Sequence, residues 1–314
     1  MNLANGKKET IAVVGGGLMG AGIATKFALA GHAVVVIETD SARSARVLEI
    51  AAEILDEIIA AGAATPADKA RALALLTVSN QLEDVAPARW VIEAIPEVLD
   101  SKRDLYARLE AILPPEAVIA SNTSSFPPDQ LVQNMRRRER FVILHFWNPP
   151  HVIPLVEIVP AAETDPALVD RAVALLRAIG AEPVALKAAI PGFIGNRLQF
   201  AVLREALHIV RSGAATPEQV DAVMRASLGR RYSVMGPLEG ADLGGLHTFL
   251  SISKHLMPKL ARDEGAALEL LAAHVDKEEL GASTGQGFYH WDAARRARIK
   301  QAFALLIGKF KIIP

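Results

Sequence analysis

The 314-residue chain contains no cysteine. That excludes disulfides, cysteine-ligated zinc and a thiol nucleophile, and it fits the reducing cytoplasm. Charge of one sign is also lacking: 34 Lys and Arg stand against 35 Asp and Glu, a formal net charge of −1. There is thus no electrostatic case for a nucleic-acid partner or an anionic membrane surface. No long unbroken apolar run is present. The longest apolar stretch, Ile11 to Ile37, is interrupted by glycines and Lys26 and makes a poor membrane span. The start, Met1 to Thr10, is polar and has no signal-peptide core. His32, His208, His247, His255, His274 and His290 show no metal-ligand spacing and are read as surface or structural, so no metal site is expected.

What is present describes a folded globular protein, 51% hydrophobic and 22% charged. Its length suggests two domains. Ile11–Val14 and Ala33–Ile37 are short β-branched runs, and the small, apolar segment Ala21–Ala30 between them reads as a helix. Strand, helix, strand with short joints predicts a parallel sheet with right-handed crossovers. Apolar residues at helical spacing predict a helix over Val47–Ala60. Further strands are expected at Trp90–Ile95, Ala117–Ala120, Phe141–Phe146 and Leu155–Val159. Arg136–Arg140 reads as a solvated loop leading into a strand. After about residue 190 amphipathic helices take over, beginning with Arg197–Arg211, and Thr216-Pro217-Glu218-Gln219 is a well-formed helix start. The expected fold is α/β: an N-terminal Rossmann domain with a doubly wound, mostly parallel sheet over 1–190, then an all-helical substrate and dimerisation domain over 191–314.

Gly15-Gly16-Gly17-Leu18-Met19-Gly20 satisfies G-x-G-x-x-G, follows an apolar strand and opens a helix. Glu38 closes the second strand. Together these are the full dinucleotide fingerprint. Gly15 permits the turn, Gly17 lets backbone approach the pyrophosphate, and Gly20 allows close helix–sheet packing. The amides around Leu18 and Met19 at the helix start face the phosphates. Glu38 accepts from the ribose hydroxyls and repels a 2′-phosphate, so NAD is expected rather than NADP, although Arg43 stands near enough to meet such a phosphate.

His145 ends the predicted strand Phe141–Phe146, and in open α/β sheets that end faces the ligand crevice. Glu157 interrupts the apolar strand Leu155–Val159. A buried glutamate demands a partner, and His145 is a natural one. A His–Glu pair makes a general base for an alcohol. Ser121-Asn122-Thr123-Ser124-Ser125 follows another strand. It is either a polar turn or part of the site. Asn196 either caps a helix or touches substrate.

Together these residues resemble the 3-hydroxyacyl-CoA dehydrogenase family over nearly the whole chain. The resemblance rests on Gly15–Gly20, Val91-Ile-Glu-Ala94 with Glu97 and Lys102, Ser121–Ser125, His145-Phe-Trp-Asn148-Pro, Leu155-Val-Glu157, Pro191–Arg197 and Thr284-Gly-Gln-Gly-Phe-Tyr289. It implies that His145 is the base and Glu157 its partner. It places Ser124 and Asn196 on the substrate oxygens, Glu97 and Lys102 near the nicotinamide, and Asn122 beside the cofactor. It implies a β-hydroxy acid or its acyl thioester as substrate, and a homodimer formed through the helical domain. Asn148-Pro-Pro-His-Val-Ile-Pro-Leu-Val-Glu157, Asn196-Arg-Leu-Gln199 and Leu228-Gly-Arg-Arg-Tyr232 resemble the branch with L-gulonate 3-dehydrogenase and λ-crystallin.

The chain departs from the CoA-binding pattern. The family's CoA-holding serine and lysine fall at Ile54 and Ala61, and Ser283 stands where a lysine precedes the closing Thr-Gly. Glu49, Glu53, Asp56 and Glu57 make that helix's polar face acidic, a poor host for CoA phosphates. A free sugar acid such as L-gulonate is therefore the alternative substrate. The β-hydroxyacid dehydrogenase class uses an active-site lysine, and none occurs between Lys187 and Lys254. A non-enzymatic NAD-binding structural role is opposed by the presence of Ser124, His145, Glu157 and Asn196 together.

Overall fold

β-Branched runs build the sheet that positions everything else. The structure, a computed structural model, describes residues 8–262 and 264–309. The polar start lies outside them as far as Lys7. Among the described residues eight strands are formed: β1 (Thr10–Val14), β2 (Ala33–Ile37), β3 (Leu76–Ser79), β4 (Trp90–Glu93), β5 (Val118–Ser121), β6 (Phe141–Phe146), β7 (Leu155–Pro160) and β8 (Glu182–Ala185). They form one sheet in the order β3-β2-β1-β4-β5-β6-β7-β8. Only the β6–β7 pair is antiparallel. The first six strands follow the doubly wound dinucleotide-binding order, with its switch point between β1 and β4. Helices α1 (Leu18–Leu29), α2 (Ser41–Ala60), α3 (Pro66–Ala74), α4 (Leu99–Ile112), α5 (Pro128–Leu131) and α6 (Pro166–Ala178) connect the strands. β1 shows why both faces are covered: Ile11 and Val13 belong to one core, Ala12 and Val14 to another.

The expected strands are all formed, with ends within two residues. β3 and β8 escape the sequence reading because each is four residues long at an edge of the sheet. β8 also contains Pro183, which an edge strand tolerates. α1 begins at Leu18, before the apolar run at Ala21. α2 begins at Ser41, where the Asp40 side chain accepts from the Arg43 amide at 2.9 Å. The basic run needs correction. Arg138–Arg140 is a 3₁₀ turn, and Arg140 is buried rather than solvated. Its guanidinium reaches the Pro114 carbonyl at 3.0 Å and Glu110 at 3.6 Å, so its charge is met inside the fold.

By its contacts the chain divides into two compact units. One comprises the residues up to Ile194 together with those from Arg298 onward; the other is Gly195–Ala297. Helices α7 (Gly195–Arg211), α8 (Pro217–Ala226), α9 (Leu228–Tyr232), α10 (Pro237–Gly244), α11 (Leu246–Leu256) and α12 (Glu264–Val275) belong to the second unit. α13 (Ala293–Lys309) begins in the second unit and ends in the first. Thr216 and Gln219 form the capping box read from sequence. None of α8–α11 buries a side chain within the single chain. Among the described residues no helix is long and apolar enough to cross a membrane.

Candidate active site

At the carboxyl end of β1 the chain turns through Gly15, whose φ of 107° is left-handed and favours glycine. A Cβ there would also lie 2.6 Å from the Ala94 carbonyl oxygen. At Gly20 a Cβ would lie 1.8 Å from the Gly15 carbonyl oxygen. Gly17 differs: a Cβ there would meet nothing within 4 Å. The protein itself does not require that glycine, whereas a pyrophosphate lying against the backbone does. Gly17 caps α1 with no side chain over the first amides, leaving Leu18 and Met19 at an anion-accepting terminus.

Glu38 ends β2 and faces this loop. Its Oε2 accepts from the Gly16 amide at 3.0 Å, and its Oε1 from the Asp40 amide at 2.9 Å and Arg43 Nη2 at 3.2 Å. Burial raises its pKa, but the two amides and Arg43 outweigh that and hold it below the ordinary carboxylate range. Arg43, which the sequence leaves open to a 2′-phosphate, pairs with Glu38. The residues fit a dinucleotide with unphosphorylated ribose: open backbone at Gly17, free amides, and an ionised acid at the ribose position.

The end of β4 carries a buried charge network. Glu93 is fully buried. Its Oε1 accepts from Lys102 Nζ at 2.5 Å and the Ile95 amide at 2.8 Å; its Oε2 accepts from Tyr106 and Ser121 hydroxyls at 2.6 and 2.7 Å. Lys102 also reaches Glu97 Oε2 at 3.1 Å. Glu97 Oε1 accepts from Thr123 Oγ1 and, at 2.6 Å, from Ser125 Oγ. Lys102 is thus a buried strut beneath Glu97. Asn122 Oδ1 accepts from the Phe146 amide at 2.9 Å, tying the β5 turn to the end of β6. Ser124 is exposed at that turn. Asn196 is the second residue of α7, in the second unit.

His145 and Glu157 are register partners across the antiparallel β6–β7 pair. Nδ1 lies 3.0 Å from Glu157 Oε2. A carboxylate only accepts, so Nδ1 carries the proton and Nε2 keeps a lone pair. Glu157, 1% exposed, also accepts from Trp147 Nε1 at 3.2 Å and from the Ile194 amide at 2.9 Å. The Trp147 and Phe193 rings stand 5.9 and 5.5 Å from the imidazole. Phe193 is buried at a φ of 51° and ends the turn that delivers the Ile194 amide. This arrangement can take a proton at Nε2 and stabilise the imidazolium.

A groove of about 410 Å³ runs between the glycine loop and α2, lined among others by Gly17, Arg46, Ile54 and His151. Ile54 is buried, and Ala61 caps the end of α2. The acidic face is less bare than it reads in sequence. Asp56 pairs with Lys69 at 2.6 Å, Glu57 with Lys300 at 2.9 Å, and Glu49 stands 4.0 Å from Arg46. Two of these cations come from other helices, which a reading along α2 cannot see. Glu93, Lys26 and His151 carry no role that spacing or pattern in the sequence assigns. A buried acid in the apolar run Val91–Ala94 was the available signal for Glu93.

Residues 10–189 match the 3-hydroxyacyl-CoA dehydrogenase NAD binding domain, and residues 192–291 match that family's C-terminal domain. L-Carnitine dehydrogenase of Streptomyces griseus is 39% identical over 252 residues, covering 80% of this chain and 74% of the relative. A 3-hydroxybutyryl-CoA dehydrogenase of Bradyrhizobium diazoefficiens is 34% identical over 287 residues, covering 91% and 97%. Among solved structures, 5-formyl-3-hydroxy-2-methylpyridine 4-carboxylic acid 5-dehydrogenase, an NAD+-dependent dismutase, superposes with a TM-score of 0.86 at 29% identity, covering 96% of this chain and 97% of that one. The cofactor is thus NAD, and the chain is an NAD-dependent oxidoreductase acting on the CH–OH group of a 3-hydroxy acid or thioester. With both halves matched in order, the chain belongs to the 3-hydroxyacyl-CoA dehydrogenase family.

Proposed function

We propose that His145 Nε2 takes the proton of the substrate's 3-hydroxyl as the C3 hydrogen leaves with its electron pair. NAD, when bound, supplies the acceptor for that hydride. The observation carrying this reading is the 3.0 Å contact from His145 Nδ1 to a Glu157 that is buried and held by two further donors. Glu157 fixes the tautomer and offsets the charge that His145 gains. Ser124 and Asn196 are assigned to the substrate oxygens by the family resemblance, and the exposed hydroxyl of Ser124 suits that role. Glu97, steadied by Lys102, Thr123 and Ser125, borders the nicotinamide side of the cleft.

The substrate is a compact free β-hydroxy acid, used at least as well as its CoA thioester. Buried Ile54 and terminal Ala61 give a CoA phosphate no cation where the family pattern expects one, and a carnitine dehydrogenase is among the relatives. The exposed faces of α8–α11, with Val223, Leu238, Leu243 and Leu246 more than 60% exposed, support a homodimer through the helical unit. The test is a screen by NADH absorbance of 3-hydroxybutyrate, carnitine and gulonate beside 3-hydroxybutyryl-CoA. Turnover of none of them removes the dehydrogenase reading of the site, while turnover of the thioester alone removes the free-acid reading.

A further inference from the structure

The loop between the two dyad strands, residues 147–154, carries a second histidine with two unlike nitrogens. The His151 side chain is 9% exposed. Its Nε2 lies 3.2 Å from Glu57 Oε2. Its Nδ1 is buried and has no hydrogen-bond partner among the described residues. Since the carboxylate only accepts, Nε2 carries the proton of the neutral ring and Nδ1 presents a lone pair that calls for a donor. Burial favours that neutral form, holding the pKa of His151 below the ordinary histidine value despite Glu57.

His151 shares a cavity of about 60 Å³ with Lys26 of α1; Leu29, Ile58, Val152 and Ile307 supply apolar wall. That volume is roughly four to six water positions. Lys26 Nζ has three protons and one long contact, 3.3 Å to the Pro150 carbonyl. Burial pushes its pKa down to about 8 against the pull of Glu182. The cavity therefore offers a cation lacking a close anion and, on another wall, an acceptor lacking a donor. A plain anion answers Lys26 but sets negative charge against the Nδ1 lone pair. Water answers the lone pair but leaves the ammonium without a counter-charge among apolar side chains. A hydroxy acid answers both.

We propose that this cavity, separate from the His145–Glu157 dyad, binds a small hydroxy acid of about two or three carbons, with its carboxylate on Lys26 and its hydroxyl donating to His151 Nδ1. His151 lies in the loop joining the strands of His145 and Glu157, so occupancy bears on the segment that carries the dyad. The proposal does not depend on the identity of the enzyme's substrate.

The test is calorimetric titration of the full-length protein with glycolate, and with acetate, which lacks the hydroxyl. Glycolate should bind at least about tenfold more tightly than acetate, the worth of one buried hydrogen bond. Binding should persist in His145→Gln, which separates this cavity from the catalytic one, and fall at least about tenfold in His151→Phe and in Lys26→Met. Equal affinity for glycolate and acetate overturns the proposal in favour of a plain anion site. Glycolate binding that is lost in His145→Gln but retained in His151→Phe places the ligand at the dyad and overturns it too. No binding to the wild type leaves water as the occupant and equally overturns it. The comparison of ligands on the wild type stands even where a variant fails to fold.

Discussion

His145 and Glu157 face each other across an antiparallel ladder, and the 3.0 Å between Nδ1 and Oε2 is set by strand register. Opposed side chains on such a ladder are neighbours, while a slip of one residue sends them to opposite faces. His145→Gln should therefore leave NAD affinity nearly unchanged and lower kcat by about 10²–10⁴, the usual worth of a general base. Glu157→Gln should act in the same direction, and the double variant should lose little more than His145→Gln alone. Steady-state kinetics with calorimetric NAD binding checks both. Near wild-type kcat in His145→Gln would remove the mechanism.

Cofactor choice follows from Glu38. Its folded pKa is lowered, so its charge is present above that value and lost only as pH falls through it. NAD should be preferred over NADP by at least about tenfold in kcat/KM, about 1.4 kcal/mol, and the ratio should stay flat from about pH 6 to 9. Glu38→Gln should relax the preference. Equal rates with both cofactors would contradict this account.

The acyl carrier can be decided with matched acid and thioester pairs at two salt concentrations. The free acid should be used at least as well as the thioester. Since Asp56, Glu57 and Glu49 have cations beside them, the rise of residual CoA activity with salt should be shallow over the physiological range. A hundredfold advantage for the thioester at physiological salt would show that CoA phosphates find cations elsewhere.

Lys26 offers a test through stability. Its folded pKa of about 8 lies below the ordinary 10.5. Below pH 8 the ammonium is charged in both folded and unfolded states, and the folded state carries the full burial penalty. Between about 8 and 10.5 the folded state sheds the proton first, so stability rises through that window. Lys26→Met should stabilise the protein at pH 7, by on the order of 3 kcal/mol for a shift of that size, and the gain should shrink toward pH 10. Urea denaturation at the two pH values measures it. A gain independent of pH would refute the assignment.

Much of this was legible in sequence because each signal was local. The glycine loop, the acid closing β2 and the polar interruption of an apolar strand at Glu157 each announce a physical requirement within a few residues. The demand of Glu157 for a partner was legible; that the Trp147 indole and the Ile194 amide also donate to it was not, since the amide lies 37 residues away in the chain. Arg140 looked solvated because the Pro114 carbonyl and Glu110 that receive it lie on another element. The acidic face of α2 looked unpaired for the same reason: Lys300 is remote in sequence. His151 stands in a quoted motif yet received no role, because an unsatisfied nitrogen is a property of surroundings, not of spacing.

The first unit is discontinuous, with Gly195–Ala297 interposed between its two parts. The ion pair from Lys300 to Glu57 and the Ile307 wall beside Lys26 consequently join residues near opposite ends of the chain. On the ribosome the Rossmann strands can pair as they emerge, but this side of α2 is covered only after the entire helical unit has been made. Closure of such a long loop is slow to gain its contacts. A nascent chain stalled before Lys300 should carry a finished sheet with the Lys26–His151 cavity still open to solvent.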